Sequence, residues 1–340
     1  MKVVFWGAGK YAERVMNTIK KDVDTYRDEY EIIVDNNRAR KGESFNGLKV
    51  IAPDQLQNYE YDIIVITSIY EKEIHEQISR DIHIAEERIY SWNEYAGLYL
   101  VRQIYKSRYE NEISDKKKNI FNLKKIVVYT AITGKYDSLK EPLFQNEDID
   151  YICFTNNPEL KSNIWKIREI QDRDRDNVHL ARHIKINPHI YCPEYETSVW
   201  VDGKFQIRSD IRKYIAQYQS DAKMLCFPHF ERQCIIDEAA MCTILHKGDK
   251  KDMFNQVADY LKAGYPVDNG LYETGCIVRI HNDSEIVELM RMWEEEVNRY
   301  SVRDQLSFPY VCWKKDFVPD ICDLLIYKNN WLAAYPHTEN

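Results

Sequence analysis

Residues 1–10 read MKVVFWGAGK, an apolar run that passes directly into Gly7-Ala8-Gly9 and then into Tyr11–Lys21, where Val15, Met16 and Ile19 recur at helical spacing. An apolar run, a glycine turn and an amphipathic helix, in that order, predict a β-turn-α opening. Reading outward, Ile32–Val34 ends at Asp35, a third strand is expected near Leu48–Val50, and Ile63–Ile66 is a fourth, followed by Thr67 and Ser68. Strands alternating with helices predict a parallel sheet covered by helices, so the fold class is α/β. From about Trp92 to Lys118 the pattern is helical and increasingly charged, and a strongly β-type segment begins at Ile126. The expected organisation is one domain over residues 1–98, a helical linker over 99–120 and a second α/β domain over 121–340.

With 340 residues the chain exceeds the common domain size more than twofold, which agrees with two cores. A net charge of −8 argues against a general nucleic-acid binder that relies on phosphate neutralisation. No apolar stretch approaches the ~20 residues of a membrane helix, so any membrane association is expected to be peripheral. The amino end carries no cleavage-site pattern, so the chain is expected in the cytoplasm, or at the inner face of the membrane if it docks there. The eight cysteines are scattered without a CxxC pair, the pattern of reduced, mostly buried thiols, with no disulfide scaffold or zinc site.

Gly7-x-Gly9-x-x-Ala12 follows a strand and opens a helix, so its amides can face a diphosphate while Asp35 holds a ribose hydroxyl. Gly7, Gly9 and Asp35 are therefore a candidate nucleotide site in a Rossmann-like domain; an unused, degenerate site has equal weight. The stretch from Val34-Asp35-Asn36-Asn37 through Gly42, Gly47 and Val50 to Pro53-Asp54-Gln55-Leu56 resembles the small nucleotide-binding domain at the front of sugar acetyltransferases. That likeness implies a pocket for a nucleotide or nucleotide-sugar and covers about the first hundred residues.

In the second part, Ile126–Thr130 precedes a turn at Thr133-Gly134, Tyr151–Thr155 closes on Asn156, and Val178–Ile190 is expected to be helical. Ser198-Val199-Trp200-Val201 is an apolar strand that delivers Asp202-Gly203-Lys204 at its carboxyl end, where open α/β sheets bind ligands. GT-A nucleotide-sugar transferases keep an Asp-x-Asp pair there to hold magnesium or manganese against the donor diphosphate. Here the second acid is Lys204. Two arrangements stay open: Asp202 alone contacts a divalent ion or ribose, or Lys204 supplies the positive charge and the ion is dispensable.

Five further pieces accompany this one, in a fixed order. They are Tyr129-Thr130-Ala131-Ile132-Thr133-Gly134-Lys135-Tyr136-Asp137, Cys153-Phe154-Thr155-Asn156-Asn157, Arg182-x-x-Lys185-x-x-x-His189, Glu231-Arg232-x-Cys234, and Ser301-x-Arg303-Asp304-Gln305-Leu306-Ser307-Phe308. Together they resemble the glycosyltransferase-like domain of plant mucilage-related and turgor-regulation proteins, over nearly all of residues 124–340. The resemblance implies a GT-A-like fold, a nucleotide-sugar donor, a glycan or lipid-linked acceptor, and work in surface polysaccharide assembly.

Residue chemistry then suggests roles. Thr130, Thr133, Gly134 and Tyr136 can grip base and ribose, with Thr155 and Asn156 at the next strand end; a plain βα turn is the bland alternative. Arg182, Lys185 and His189, at spacings of three and four, would share one helix face and neutralise a diphosphate; a solvated face is the alternative for Lys185. Asp304, between Arg303 and Gln305, can bind hydroxyls or act as general base, or merely cap a helix. Glu273, beside Gly275, competes for the base role. His337 can complete a metal site with Asp202, as terminal histidines do in some GT-A enzymes, or belong to a frayed tail. The rivals to a glycosyltransferase are a non-enzymatic nucleotide-sugar-binding subunit, favoured by Lys204, and an NAD-dependent oxidoreductase or epimerase, disfavoured because no Tyr-x-x-x-Lys pair lies near the glycines.

Overall fold

The computed structural model describes residues 2–19, 28–99, 125–134, 137–218, 222–322 and 324–336. The chain forms two compact units, Met1–Tyr99 and Leu100–Asn340. The proposed linker lies, beyond Tyr99, outside the described residues.

The first unit holds strands β1 (Val3–Trp6), β2 (Ile32–Val34), β3 (Ser44–Phe45), β4 (Leu48–Ile51), β5 (Ile63–Ile66) and β6 (Ile89–Ser91), with helices α1 (Lys10–Ile19), α2 (Glu71–Gln77) and α3 (92–99). The sheet runs β3-β4-β2-β1-β5-β6, parallel except for β3 against β4. β1 and β5 are buried along their whole length, which explains why both read as unbroken apolar runs without alternation. Gly7 leaves β1 at φ +109°, and a Cβ there would stand 3.0 Å from the Thr67 carbonyl oxygen. Gly7→Ala is therefore expected to cost about 1–3 kcal/mol, read as a lowered melting transition of the full chain.

The second unit is built on a seven-stranded sheet. Its strands are β7 (Ile126–Ile132), β8 (Asp150–Thr155), β9 (Lys166–Glu169), β10 (Thr197–Val201), β11 (Phe205–Ile207), β12 (Met224–Pro228), β13 (Tyr272–Arg279), β14 (Asp320–Ile321) and β15 (Leu332–Ala334). The order is β14-β12-β13-β10-β7-β8-β9, with β11 and β15 forming a separate antiparallel pair. All neighbours in the large sheet are parallel except β13, which runs against both β10 and β12. Both units are thus α/β with parallel-dominated sheets.

Helices α4 (Asn177–Ile186), α5 (Pro188–Tyr191), α6 (Ile211–Tyr218), α7 (Ile235–Ile244), α8 (Lys250–Lys262), α9 (Ser284–Arg299) and α10 (Asp304–Lys314) complete this unit. Alternate residues of β7 enter different cores: Val127 and Tyr129 pack with Trp200, Trp293 and Phe308, while Val128 packs with Val199, Tyr214 and Phe227. The chain moves from β7 through β8 to β9 on one side, then crosses back to place β10 on the other side of β7. The carboxyl ends of β7 and β10 therefore flank a topological switch point, the place where an open α/β sheet leaves a crevice.

The helix expected over Val178–Ile190 is two helices. Pro188 has no N–H for the ladder and its ring would clash with the preceding turn; the chain leaves α4 at Asn187 (φ −112°, ψ 53°) and restarts as α5. Thr130 also differs from expectation, since β7 continues to Ile132 and the loop begins only at Thr133. No helix among the described residues is long and apolar enough to cross a membrane.

Candidate functional site

The switch point gathers residues from four elements. β10 ends at Val201, and Asp202 follows with its amide bonded to the Gly275 carbonyl at 2.8 Å. Because β13 is antiparallel, Glu273, Thr274 and Gly275, which follow Tyr272 at its start, lie at this same edge. A Cβ on Gly275 would fall 2.7 Å from the Phe205 ring and 3.4 Å from Asp202 Oδ2, so only glycine allows this approach. α4 brings Arg182 and Lys185, and α10 begins with Asp304.

Lys185 is the hub. Its side chain is 1% exposed, and its Nζ donates to Asp304 Oδ2 at 2.5 Å and to Thr274 Oγ1 at 3.1 Å, with Asp202 Oδ1 at 3.5 Å. Thr274 Oγ1 also donates to Asp304 Oδ2 at 3.0 Å, and Arg182 Nε stands 3.5 Å from Asp304 Oδ1. Burial alone would raise the Asp304 pKa, but Arg182, Lys185 and Arg303 outweigh it and hold the carboxyl well below the usual carboxylate range. Asp304 is thus a fixed anion. The end of α4 is itself pinned, because Tyr129 Oη donates to the Lys185 carbonyl at 2.7 Å and Arg279 Nη2 donates to it at 2.8 Å. A cation suits those terminal carbonyls.

Glu273 has the opposite electrostatic setting. It is buried, accepts a hydrogen bond from Gln305 Nε2 at 3.0 Å, and has His229 Nε2 3.5 Å from Oε1. Burial pushes its pKa up to about 7, with the Glu238 and Asp202 charges adding to the rise and Lys204 and Arg232 opposing it. Burial also lowers His229 to about 4, so at neutral pH the imidazole gives Glu273 no positive partner. Two carboxylates at one sheet edge, one held ionised and one poised near neutrality, are the arrangement that separates a binding group from a proton-transfer group.

Around them, Arg303 Nη2 donates to Gln305 Oε1 at 3.0 Å and faces Glu238 Oε1 at 3.4 Å. Arg232 Nε in turn donates to Glu238 Oε2 at 2.6 Å. This His229–Arg232–Glu238 group has no compact sequence signature beyond the Glu231-Arg232-x-Cys234 piece, and through Glu238 it holds Arg303 from behind. On the other side, Asn156 accepts from the Gly134 amide and donates to Asn177 Oδ1, both at 2.8 Å, while Thr133 Oγ1 donates to the Asn177 carbonyl at 2.8 Å. Gly134 sits at φ +63°, where a Cβ would collide with the Asn177 side chain at 2.5 Å. This loop is stitched to the first turn of α4.

Not every expected residue joins the group. His189 is on α5 and not on the Arg182–Lys185 face; its pKa, lowered by burial, is set among Arg279, Glu294 and His183. Thr130 is buried inside β7, and Thr155 spends its hydroxyl on the Ile132 carbonyl at 2.6 Å. Tyr136 and His337 lie outside the described residues. In the first unit, Asp35 accepts from the Ala8 amide at 2.9 Å and the Asn37 amide at 2.8 Å, with Arg40 Nη1 3.7 Å away. The carboxylate at the glycine turn is therefore engaged by the chain itself, and a Cβ on Gly9 would meet nothing within 4 Å.

For a divalent ion, the residues at the β10 end fit poorly. Among the described residues no three metal-ligating side chains cluster. Asp202 Oδ1 already accepts the Trp200 indole N–H at 2.6 Å beside the Lys185 ammonium, and the second acidic position holds Lys204.

Comparison with known proteins places these features. Residues 155–329 match the family described as TOD1/MUCI70, glycosyltransferase-like domain, and residues 1–90 match C2185-like, N-terminal. A probable hexosyltransferase, MUCI70 of Arabidopsis thaliana, is 23% identical over 238 residues, which cover 62% of this chain and 39% of the plant protein. The chain thus spans about two fifths of the length of that relative.

Proposed function

This chain belongs to the TOD1/MUCI70 glycosyltransferase-like domain family, and from that premise we propose that its second unit moves a sugar from a nucleoside-diphosphate sugar to a hydroxyl of a glycan or lipid-linked glycan in surface polysaccharide synthesis. The observation that carries this reading is the meeting of Asp202, Glu273, Lys185 and Asp304 at the switch point. Such a transfer needs cations near the departing diphosphate, fixed hydrogen-bonding groups for the sugar hydroxyls, and an acceptor for the proton of the incoming hydroxyl. The ion-paired Asp304, with Arg182, Thr274 and Gln305, supplies fixed donors and acceptors for sugar hydroxyls. Glu273, with its pKa near 7, takes the acceptor proton as the acceptor oxygen bonds to the anomeric carbon and the diphosphate leaves. The name hexosyltransferase carried by the plant relative supports a hexose as the sugar moved.

The test is a donor-hydrolysis and transfer assay on the full chain across uridine, guanosine, cytidine and thymidine diphosphate sugars. Turnover of one base class is the expected result. A folded chain that neither binds nor turns over any of them overturns the reading; binding without turnover favours a nucleotide-sugar-binding subunit.

A further inference from the structure

The turn after β10 carries a cation where the resemblance to GT-A enzymes called for an acid. Lys204 Nζ accompanies the Tyr327 hydroxyl at 3.0 Å and lies 5.0 Å and 4.9 Å from the centres of the Phe205 and Tyr327 rings. Among the described residues it makes no ion pair within 4 Å, whereas each of the other basic groups at this edge already has one: Arg182 and Lys185 with Asp304, Arg232 and Arg303 with Glu238. The turn is also held in place. The Lys204 carbonyl accepts the Tyr335 amide at 2.9 Å, and β15 pairs with β11 immediately after the turn. A Cβ on Gly203 would strike Ile132 at 2.5 Å, so the backbone passes close under the end of β7. The ammonium thus stands on a clamped turn at the switch point, supported by two aromatic faces and lacking the carboxylate that its neighbours have.

Resting on the nucleotide-sugar reading above, we propose that Lys204 is the charge partner of the donor diphosphate and that donor binding by this chain requires no divalent ion. The donor set supports it: Asp202 has given one oxygen to the Trp200 indole and lies 3.5 Å from the Lys185 ammonium, and the second acidic position holds another ammonium in place of a ligand. A doubly charged ion and an ammonium about 5 Å apart repel by ~7 kcal/mol at an effective dielectric near 20. A phosphate oxygen meets the reverse situation, since a lysine ammonium is a strongly hydrated point charge with three donors and binds phosphate as such. Burial opposes its charge, yet Tyr327, Asp202 and Glu273 together keep the Lys204 pKa above the ordinary lysine value, so the group stays protonated across the working range.

The experiment is calorimetric titration of the full chain with uridine, guanosine, cytidine and thymidine diphosphates, each in excess chelator and again with manganese. We expect one of them to bind in chelator, manganese to change its affinity less than about threefold, Lys204→Met to weaken it at least ~10-fold, and Lys204→Arg to retain it. Melting curves of both variants should overlay the parent, because the side chain is partly exposed. Binding that appears only with manganese overturns the lysine assignment and leaves the transferase standing. Binding in chelator that Lys204→Met leaves unchanged overturns it as well. No binding by any nucleotide under either condition overturns the nucleotide-sugar reading itself, and this inference with it.

Discussion

Glu273→Gln is expected to lower turnover by ~10²-fold or more while nucleotide binding stays within about twofold, the scale and pattern of losing a general base. The amide keeps the shape and can still pair with Gln305, so the loss isolates charge and basicity. The pH profile adds a sharper criterion. A carboxylate must be ionised to accept a proton, so kcat/KM of the parent should rise with pH up to about 7 and then level off, and the residual rate of the variant should lack that inflection. The stability consequence has the opposite sign. The folded-state pKa lies above the unfolded value of 4.5, so the favourable contribution of this carboxyl is complete below about 4.5 and is lost as pH rises through about 7. A displacement of that size is worth about 3 kcal/mol. Glu273→Gln should therefore unfold at a higher temperature than the parent at pH 8, the two converging toward pH 4.5. An inactive variant that is also more stable marks a group kept for chemistry; full activity at pH 8 would remove Glu273 from the base role.

The sequence carried much of the fold because burial leaves a periodic trace. Helix α9, Ser284–Arg299, carries that trace: its buried positions Ile286, Leu289, Met290, Trp293 and Val297 recur at helical spacing and Asp283 caps it through the Glu285 amide. Strand direction leaves no such trace. All eight residues of β13 are buried, polar and apolar alike, so no in-out alternation marks its faces, and nothing in the stretch announces that Glu273 and Thr274 return to the end of β10. Pro188 was visible, yet spacing alone kept His189 on the face of Arg182 and Lys185.

The site was legible as residue types and not as pairs. Lys185 and Asp304 are 119 positions apart, and no local pattern says that they meet. An acid at the first position of a helix reads as a favourable end charge whatever its real partner, and a lysine three residues after an arginine reads as a solvated face. Only the tertiary packing distinguishes the ion-paired Asp304 from the poised Glu273, because what differs is the company each carboxylate keeps: Arg182, Lys185 and Arg303 around the first, a neutral imidazole and an amide beside the second. A base role for Asp304, equally open from the sequence, is disfavoured by that surrounding charge.

Asp304→Asn is accordingly expected to act first on the fold of the site and only through it on transfer. The substitution leaves the Lys185 ammonium, 1% exposed, without its anion at 2.5 Å, and removing one member of a buried pair costs about 3–5 kcal/mol. The pH dependence follows from the depressed pKa: the contribution of Asp304 is present above its unfolded value of 3.8 and is lost as pH falls below it, so parent and variant should differ most at neutral pH and converge in acid. Denaturant unfolding across pH measures this directly. The decisive comparison is the double change Asp304→Asn with Lys185→Met, which removes both buried charges and should recover at least ~1–2 kcal/mol over Asp304→Asn alone. Sugar transfer should stay low in the double variant, because the hydroxyl-binding anion is still missing although the fold has been restored. Recovery of transfer along with stability would show that Asp304 serves only to neutralise Lys185, and the sugar contacts would then have to be sought on Arg182, Thr274 and Gln305.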